Sequence, residues 1–280
     1  MKNYIFAMMA FLTSFIASAQ GNWGGDQNRN TKMQPIGLMA GLNGSIIGSR
    51  PGLSSISEGD INLGIFIGRR PLSFLMFGGS SSHSEVVNYI TPDIDPVCGC
   101  YQETTIKEFQ NRLRINYFQA GFSYQKKGTA IYLTGGVASV QRSYPVIDSL
   151  GGLQMQTLSL KTLPMVSFSV KTIVGRDLLS VQGTGVADIN YPIGKGSISY
   201  LLRFNAQENL FGGLRAGYIS HEVSGHEFSF GPEFLFGSND MFVDISLSFG
   251  GSYNPNPNEG FGLYISGAIN LTRQNRSLFQ

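Results

Sequence analysis

Five tight polar turns punctuate this chain, at Arg69-Arg70-Pro71, Lys126-Lys127-Gly128, Arg176-Asp177, Gln207-Glu208-Asn209 and Ser238-Asn239-Asp240. Between them run segments with apolar residues at every second position, a period that gives each segment one apolar and one polar face. The other connections are longer or rich in Gly and Pro: Ser49 to Asp60, Ser81 to Glu103, Ser143 to Gln154, Asn190 to Gly196 and Tyr253 to Gly260. Only Val223-Ser224-Gly225 is short where the rhythm asks for length. Connections that alternate in length along an antiparallel chain put all the short ones at one end of the structure.

The alternation is cleanest late in the sequence. Ile198, Tyr200, Leu202 and Phe204 share a face, as do Phe228, Phe230, Phe234 and Phe236. Val243, Ile245, Leu247 and Phe249 form another such face, and Phe261, Leu263, Ile265, Ile269 and Leu271 the last. Earlier, Ile61, Leu63, Ile65 and Ile67 oppose Asn62, Gly64 and Gly68. Within Thr105 to Gln125 the apolar phase shifts after Tyr117, from Leu113, Ile115 and Tyr117 to Phe118, Ala120, Phe122 and Tyr124. A β-bulge near Gly121 is the expected cause. Strands are expected to begin near Ile36, Ile61, Leu72, Thr105, Thr129, Met155, Leu178, Ser197, Phe211, His226, Met241 and Phe261. The expected fold is all-β: one antiparallel transmembrane β-barrel of about 12 strands. A secreted β-sandwich would also alternate, but its connections need not obey this parity.

The first residues read as an export leader. Lys2 is the positive start, Tyr4 to Ile16 is mostly apolar, and Ala17-Ser18-Ala19 is a small-residue cleavage site. The expected organisation is a signal peptide over 1–19, a polar periplasmic entry segment over 20–35, and a barrel domain over 36–280. Mean hydropathy is 0.00, low for a bundle of membrane helices but natural for a barrel, in which every second residue turns away from lipid. The formal net charge of +2 leaves no basic surface of the size nucleic acid requires.

The leader ending in Ala17-Ser18-Ala19-Gln20, the alternating hairpins and the last apolar strand with Phe279 near the end carry a resemblance. On them the chain resembles the broad class of Gram-negative outer-membrane β-barrel proteins. The resemblance implies outer-membrane localisation, and outer-membrane lipid, small solutes or other envelope proteins as partners. It covers nearly all of the chain beyond the leader, as a pattern without a specific motif.

Polar positions expected to line the lumen are Glu108, Arg112, Arg114, Lys171, Asp188, Arg203, Glu227, Glu233 and Asp244. Charges inside a barrel either pair and fill it or line a solute path. Cys98-Gly99-Cys100 reads as a loop disulfide in an oxidising compartment. Two thiols are too few ligands for zinc. His83 is followed directly by Ser84, and His221 and His226 meet Ser224 and Ser229 at i+3, odd spacings that put the partners on opposite faces of a strand. Cross-strand pairs, His221 with Ser229 or His226 with Ser220, stay open. Gly183-Thr184-Gly185 precedes no helix, so it is not read as a phosphate loop. No catalytic, cofactor or metal residue is assigned. The leading expectation is a non-enzymatic barrel, either a narrow solute channel or a structural or accessory barrel of an envelope assembly. A loop-binding adhesion protein is the alternative, and an outer-membrane lipid hydrolase comes third.

Overall fold

A computed structural model of the chain describes residues 36–47, 54–69, 71–94, 98, 101–126, 128–147, 153–188, 193–205, 210–221, 225–237, 243–255 and 260–273. The leader and the entry segment lie outside the described residues. Twelve strands follow one another: β1 Ile36–Ile47, β2 Ser54–Arg69, β3 Leu72–Ile94, β4 Tyr101–Lys126, β5 Thr129–Ile147, β6 Leu153–Val174, β7 Asp177–Val186, β8 Ile193–Asn205, β9 Leu210–His221, β10 Gly225–Gly237, β11 Val243–Asn254 and β12 Gly260–Arg273. Each strand pairs with its sequence neighbours, and β1 pairs antiparallel with β12, so the sheet closes on itself.

The parity read from the sequence is present, with one correction. Residues 70–71, 127–128, 175–176, 206–209 and 238–242 connect strands at one end, here the turn side. Residues 48–53, 95–100, 148–152, 187–192, 222–224 and 255–259 connect them at the other, the loop side. Most of Ser81 to Glu103, expected as loop, is strand: β3 continues to Ile94 and β4 begins at Tyr101. The same holds around Ser143 to Gln154, which β5 and β6 largely absorb. Backbone pairing continues because each added residue on one strand satisfies a peptide group on the other, whatever solvent surrounds the hairpin.

The bulge expected at Gly121 is absent, since β4 pairs without interruption past it on both sides. The register shifts instead between Thr91 and Asp93, Ser139 and Gln141, and Arg203 and Asn205. The β4 residues Leu113, Ile115, Tyr117, Gln119, Ser123 and Gln125 all face inward and are buried. The surroundings change along the strand, not its phase. Near the turns the outer face is Phe118 and Phe122, both more than half exposed. Further out it is Asn116, Arg114 and Arg112, also exposed.

Following register partners once around the ring shows how far the strands slant. From Ile36 the path runs through Ile67, Phe122, Gly196 and Phe261 and returns to the line of β1 about 14 residues beyond its start. Twelve strands with that stagger tilt by roughly 40° and form a circle of about 11 Å radius. The actual ring is pinched. Lys195 on β8 and Asp60 on β2, six places apart in the ring, meet at 3.3 Å. Their side chains reach about 6 and 3.5 Å, far short of a circular diameter of about 22 Å. A Cβ at Gly136 would collide with the Phe118 carbonyl, and one at Gly231 with that of Phe249. Only glycine lets neighbouring backbones approach so closely.

Candidate functional site

The barrel interior holds the polar side chains that sequence reasoning singles out, and the register sorts its wall into two sectors and a floor. The floor lies at the turn side. Phe66, Leu75, Ala130, Leu178, Leu201, Phe211 and Leu235 all point inward there, and none is more than 6% exposed. Leu178, Leu201, Phe211 and Leu235 pack as one cluster with Ile173. The Arg203 guanidinium sits over the Phe211 ring, 5.6 Å from its centroid. Lys171 on β6 reaches Asp244 on β11 at 3.6 Å, which ties two well-separated strands at this level.

Above the floor, the wall from β3 to β8 is filled. Gln119 donates from Nε2 to Ser167 Oγ at 2.9 Å and accepts from Thr134 Oγ1 at 3.0 Å. Thr184 Oγ1 donates to Ser167 Oγ at 3.1 Å. Closer to the loops, Leu113, Ile115, Tyr117, Ala138, Val140, Met165 and Val186 form a buried apolar cluster against Phe77, Leu163 and Ile193. Arg142 and Asp188 pair at 3.2 Å beyond it.

The wall from β9 through β12 to β1 carries small and polar side chains. Arg215 donates through Nη1 to Ser248 Oγ at 2.9 Å and to Ser266 Oγ at 3.4 Å. Glu227, Ser252, Asn254 and Tyr264 are buried on this wall. Glu233 Oε2, Arg215 Nε and Ser252 Oγ are buried on this wall with no protein hydrogen-bond partner. Between the two sectors stands the strut. Asp60 takes Lys195 Nζ on one oxygen and the Tyr117 hydroxyl on the other at 2.9 Å. Beside it Glu58 accepts from Ser45 Oγ at 3.2 Å and meets His83 Nδ1 at 3.1 Å.

Of the positions expected in the lumen, Lys171, Arg203, Glu227, Glu233 and Asp244 face inward, and Asp188 pairs with inward-facing Arg142. Arg112 and Arg114 are corrections. They stand on the outer face of β4, because the polar face of that strand turns outward once it leaves the apolar belt. The side chain of Glu108 lies outside the described residues. Sequence reasoning missed Asp60, Tyr117, Gln119, Arg142, Lys195 and Arg215. Asp60 and Lys195 were assigned to long connections, and their meeting depends on a pairing 135 residues apart.

Cys98 is disulfide-bonded, and Cys100 lies outside the described residues. Gly183-Thr184-Gly185 is inside β7. His226 stands opposite Ser220 in the register on the outer face, with its Nδ1 2.7 Å from the Tyr218 hydroxyl. His221 pairs with Gly225, and Ser229 with Gly217, so these two are not cross-strand partners. Among the described residues no three His, Cys, Asp or Glu side chains converge as a metal site.

A closed antiparallel ring with an apolar belt outside and polar groups within is the fold of outer-membrane β-barrel proteins. No protein-family model and no curated protein matches the chain. Among solved structures it is similar to the translocator domain of the autotransporter NalP from Neisseria meningitidis, with a TM-score of 0.50, 8% identity and 97% of each chain covered. It is also similar to the transport unit of the autotransporter AIDA-I from Escherichia coli, with a TM-score of 0.45, 11% identity, and 94% of this chain and 96% of that one covered. The Pseudomonas putida toluene transporter TodX matches at a TM-score of 0.40 and 10% identity, over 86% and 89%. At these identities the likeness is one of fold, and the NalP domain carries it.

Proposed function

We propose that this protein is exported through cleavage of a leader over residues 1–19, resides in the outer membrane, and offers small polar solutes a narrow, gated path along its β9–β1 wall. The carrying observation is the Asp60–Lys195 strut across the lumen. It holds opposite walls together by a contact that side-chain rotation can release, above a floor of apolar side chains that excludes water while packed. Hydrophobic constrictions of this kind gate by dewetting. The outer belt supports the membrane setting: Leu63, Phe122, Leu133, Phe204, Phe230 and Ile265 are each about half exposed or more, which only a lipid solvent accommodates over a whole circumference.

The test is single-channel conductance of refolded protein in planar bilayers, with Lys195→Met and Phe211→Ala beside the native chain. The reading requires small, intermittent currents from the native barrel and larger, longer openings from both variants. Flat traces from all three would instead favour a structural barrel of an envelope assembly, the reading to which the packed floor lends weight.

A further inference from the structure

The apolar belt has different heights on two sides of the ring. On β4 the outward apolar run extends from Tyr124 through Phe122 and Ala120 to Phe118, and Asn116, Arg114 and Arg112 follow, all exposed. On β2 it extends from Ile67 to Ile61, and Gly59 and Ser57 follow. On β12 the run continues from Leu271 through Ile269, Ile265 and Leu263 to Phe261, and the last two are 73% and 77% exposed. On β11 Ile245, Leu247, Phe249 and Tyr253 face outward and are exposed. At the observed tilt the short runs span about 15 Å along the axis and the run on β12 about 25 Å. A typical outer-membrane belt is about 25 Å tall, so one face falls short of it and the other matches it.

The inner wall gives the same answer independently. Beyond Phe118, β4 and β5 turn Leu113, Ile115, Ala138 and Val140 inward and buried, with polar side chains outside. This is the polarity of a barrel in water. At the loop ends of β11 and β12 the inner face is still Ser252, Asn254 and Tyr264, and the outer face is Tyr253, Phe261 and Leu263. This is the polarity of a barrel in lipid. The Tyr253 and Phe261 rings pack at 4.9 Å, and Tyr218 stacks on His226 at 6.0 Å, where an aromatic girdle would mark the interface.

We infer that the bilayer around this barrel is uneven: thinned beside β2–β4 and of full thickness beside β11–β12, with acyl chains covering Phe261 and Leu263. The inference rests on the membrane reading proposed above. It belongs to lipid and not to a protein partner because the tall patch continues the belt without a polar break along β12. Thinning is how a bilayer meets a short apolar span. On the thinned side it brings headgroup phosphates to Arg112 and Arg114, whose guanidinium groups suit them. Across the sheet from these arginines stand Ser84 and Ser82 on β3 and Ser143 and Gln141 on β5.

The experiment places single tryptophans in a Trp23→Phe background, at Leu133→Trp, Phe261→Trp and Asn116→Trp. Each protein is refolded into phosphatidylcholine vesicles with brominated acyl chains, and heat-modifiable gel migration confirms closure. Leu133→Trp and Phe261→Trp are expected to lose most of their emission, and Asn116→Trp little. Equal quenching at Asn116 and Phe261 would overturn the inference. So would an unquenched Phe261→Trp beside a quenched Leu133→Trp, whether or not Phe261→Cys then cross-links to a second copy. An unquenched Leu133→Trp would instead remove the membrane reading itself.

Discussion

The two inner walls of this barrel solve the same problem in opposite ways. From β3 to β8 the lumen is filled by Leu113, Ile115, Val140 and Met165, side chains that exclude water and bind the sheet to itself. From β9 to β1 it is left to serines, glycines and a few charged groups, with Arg215 hydrogen-bonded to Ser248 and Ser266. A ring of this circumference is too wide for side chains to fill evenly and too narrow for a wide pore. Pinching it along the β2–β8 diameter makes one sector an apolar core and leaves the other lined by polar side chains. Apolar packing and polar lining are thus assigned to different arcs of one sheet.

The sharpest way to break that comparison is to remove apolar volume from the filled arc. Leu113→Ala, at a position only 3% exposed, is expected to cost about 2–5 kcal/mol, read by urea unfolding in lipid vesicles. A cost near zero would mean the cluster does not support the ring. Lys195→Ala comes next. It leaves Asp60 facing the lumen with the Tyr117 hydroxyl as its remaining partner on the strut. Because Lys195 is itself 39% exposed, the expected loss of stability is only about 1 kcal/mol, while conductance rises. Tyr117→Phe removes one hydrogen bond to the strut and should cost about 1 kcal/mol in the same unfolding assay. The smallest effect belongs to the open arc. Ser266→Ala gives up a 3.4 Å contact with Arg215 and should move stability by less than about 0.5 kcal/mol, though its conductance selectivity should shift. If Ser266→Ala destabilised the ring as much as Leu113→Ala, the two arcs would not differ in kind.

Much of the architecture was legible because a closed ring with sequential neighbours asks only for local information. The turns read at Lys126-Lys127-Gly128 and, one residue late, at Arg176-Asp177, and the alternation along β8, β10, β11 and β12, each declare themselves within a few residues. The misplacement of Arg112 and Arg114 has one cause, which is that a two-residue period reveals two faces but not which solvent each meets. Arg112 and Arg114 were read as lumen residues because polar meant inward, as it does inside the belt. On β4 the outer face turns polar at Asn116 while the inner face turns apolar, and the same alternation then means the reverse. The apparent slip near Gly121 is that exchange of faces. Asp60 and Lys195 were missed for a different reason. Asp60 does share the polar face of Asn62 on β2, a usable signal, but nothing near either residue shows that the ring is pinched enough for them to touch.

The seam between β1 and β12 has a consequence for biogenesis. β1 can find its second neighbour only when β12 is in place, so until then the sheet carries two unpaired edges. A product cut short before Gly260 would keep them permanently, as an open sheet prone to pair with whatever strand it meets. The final hairpin is thus a checkpoint, and its arrival separates a sealed wall from an aggregation template.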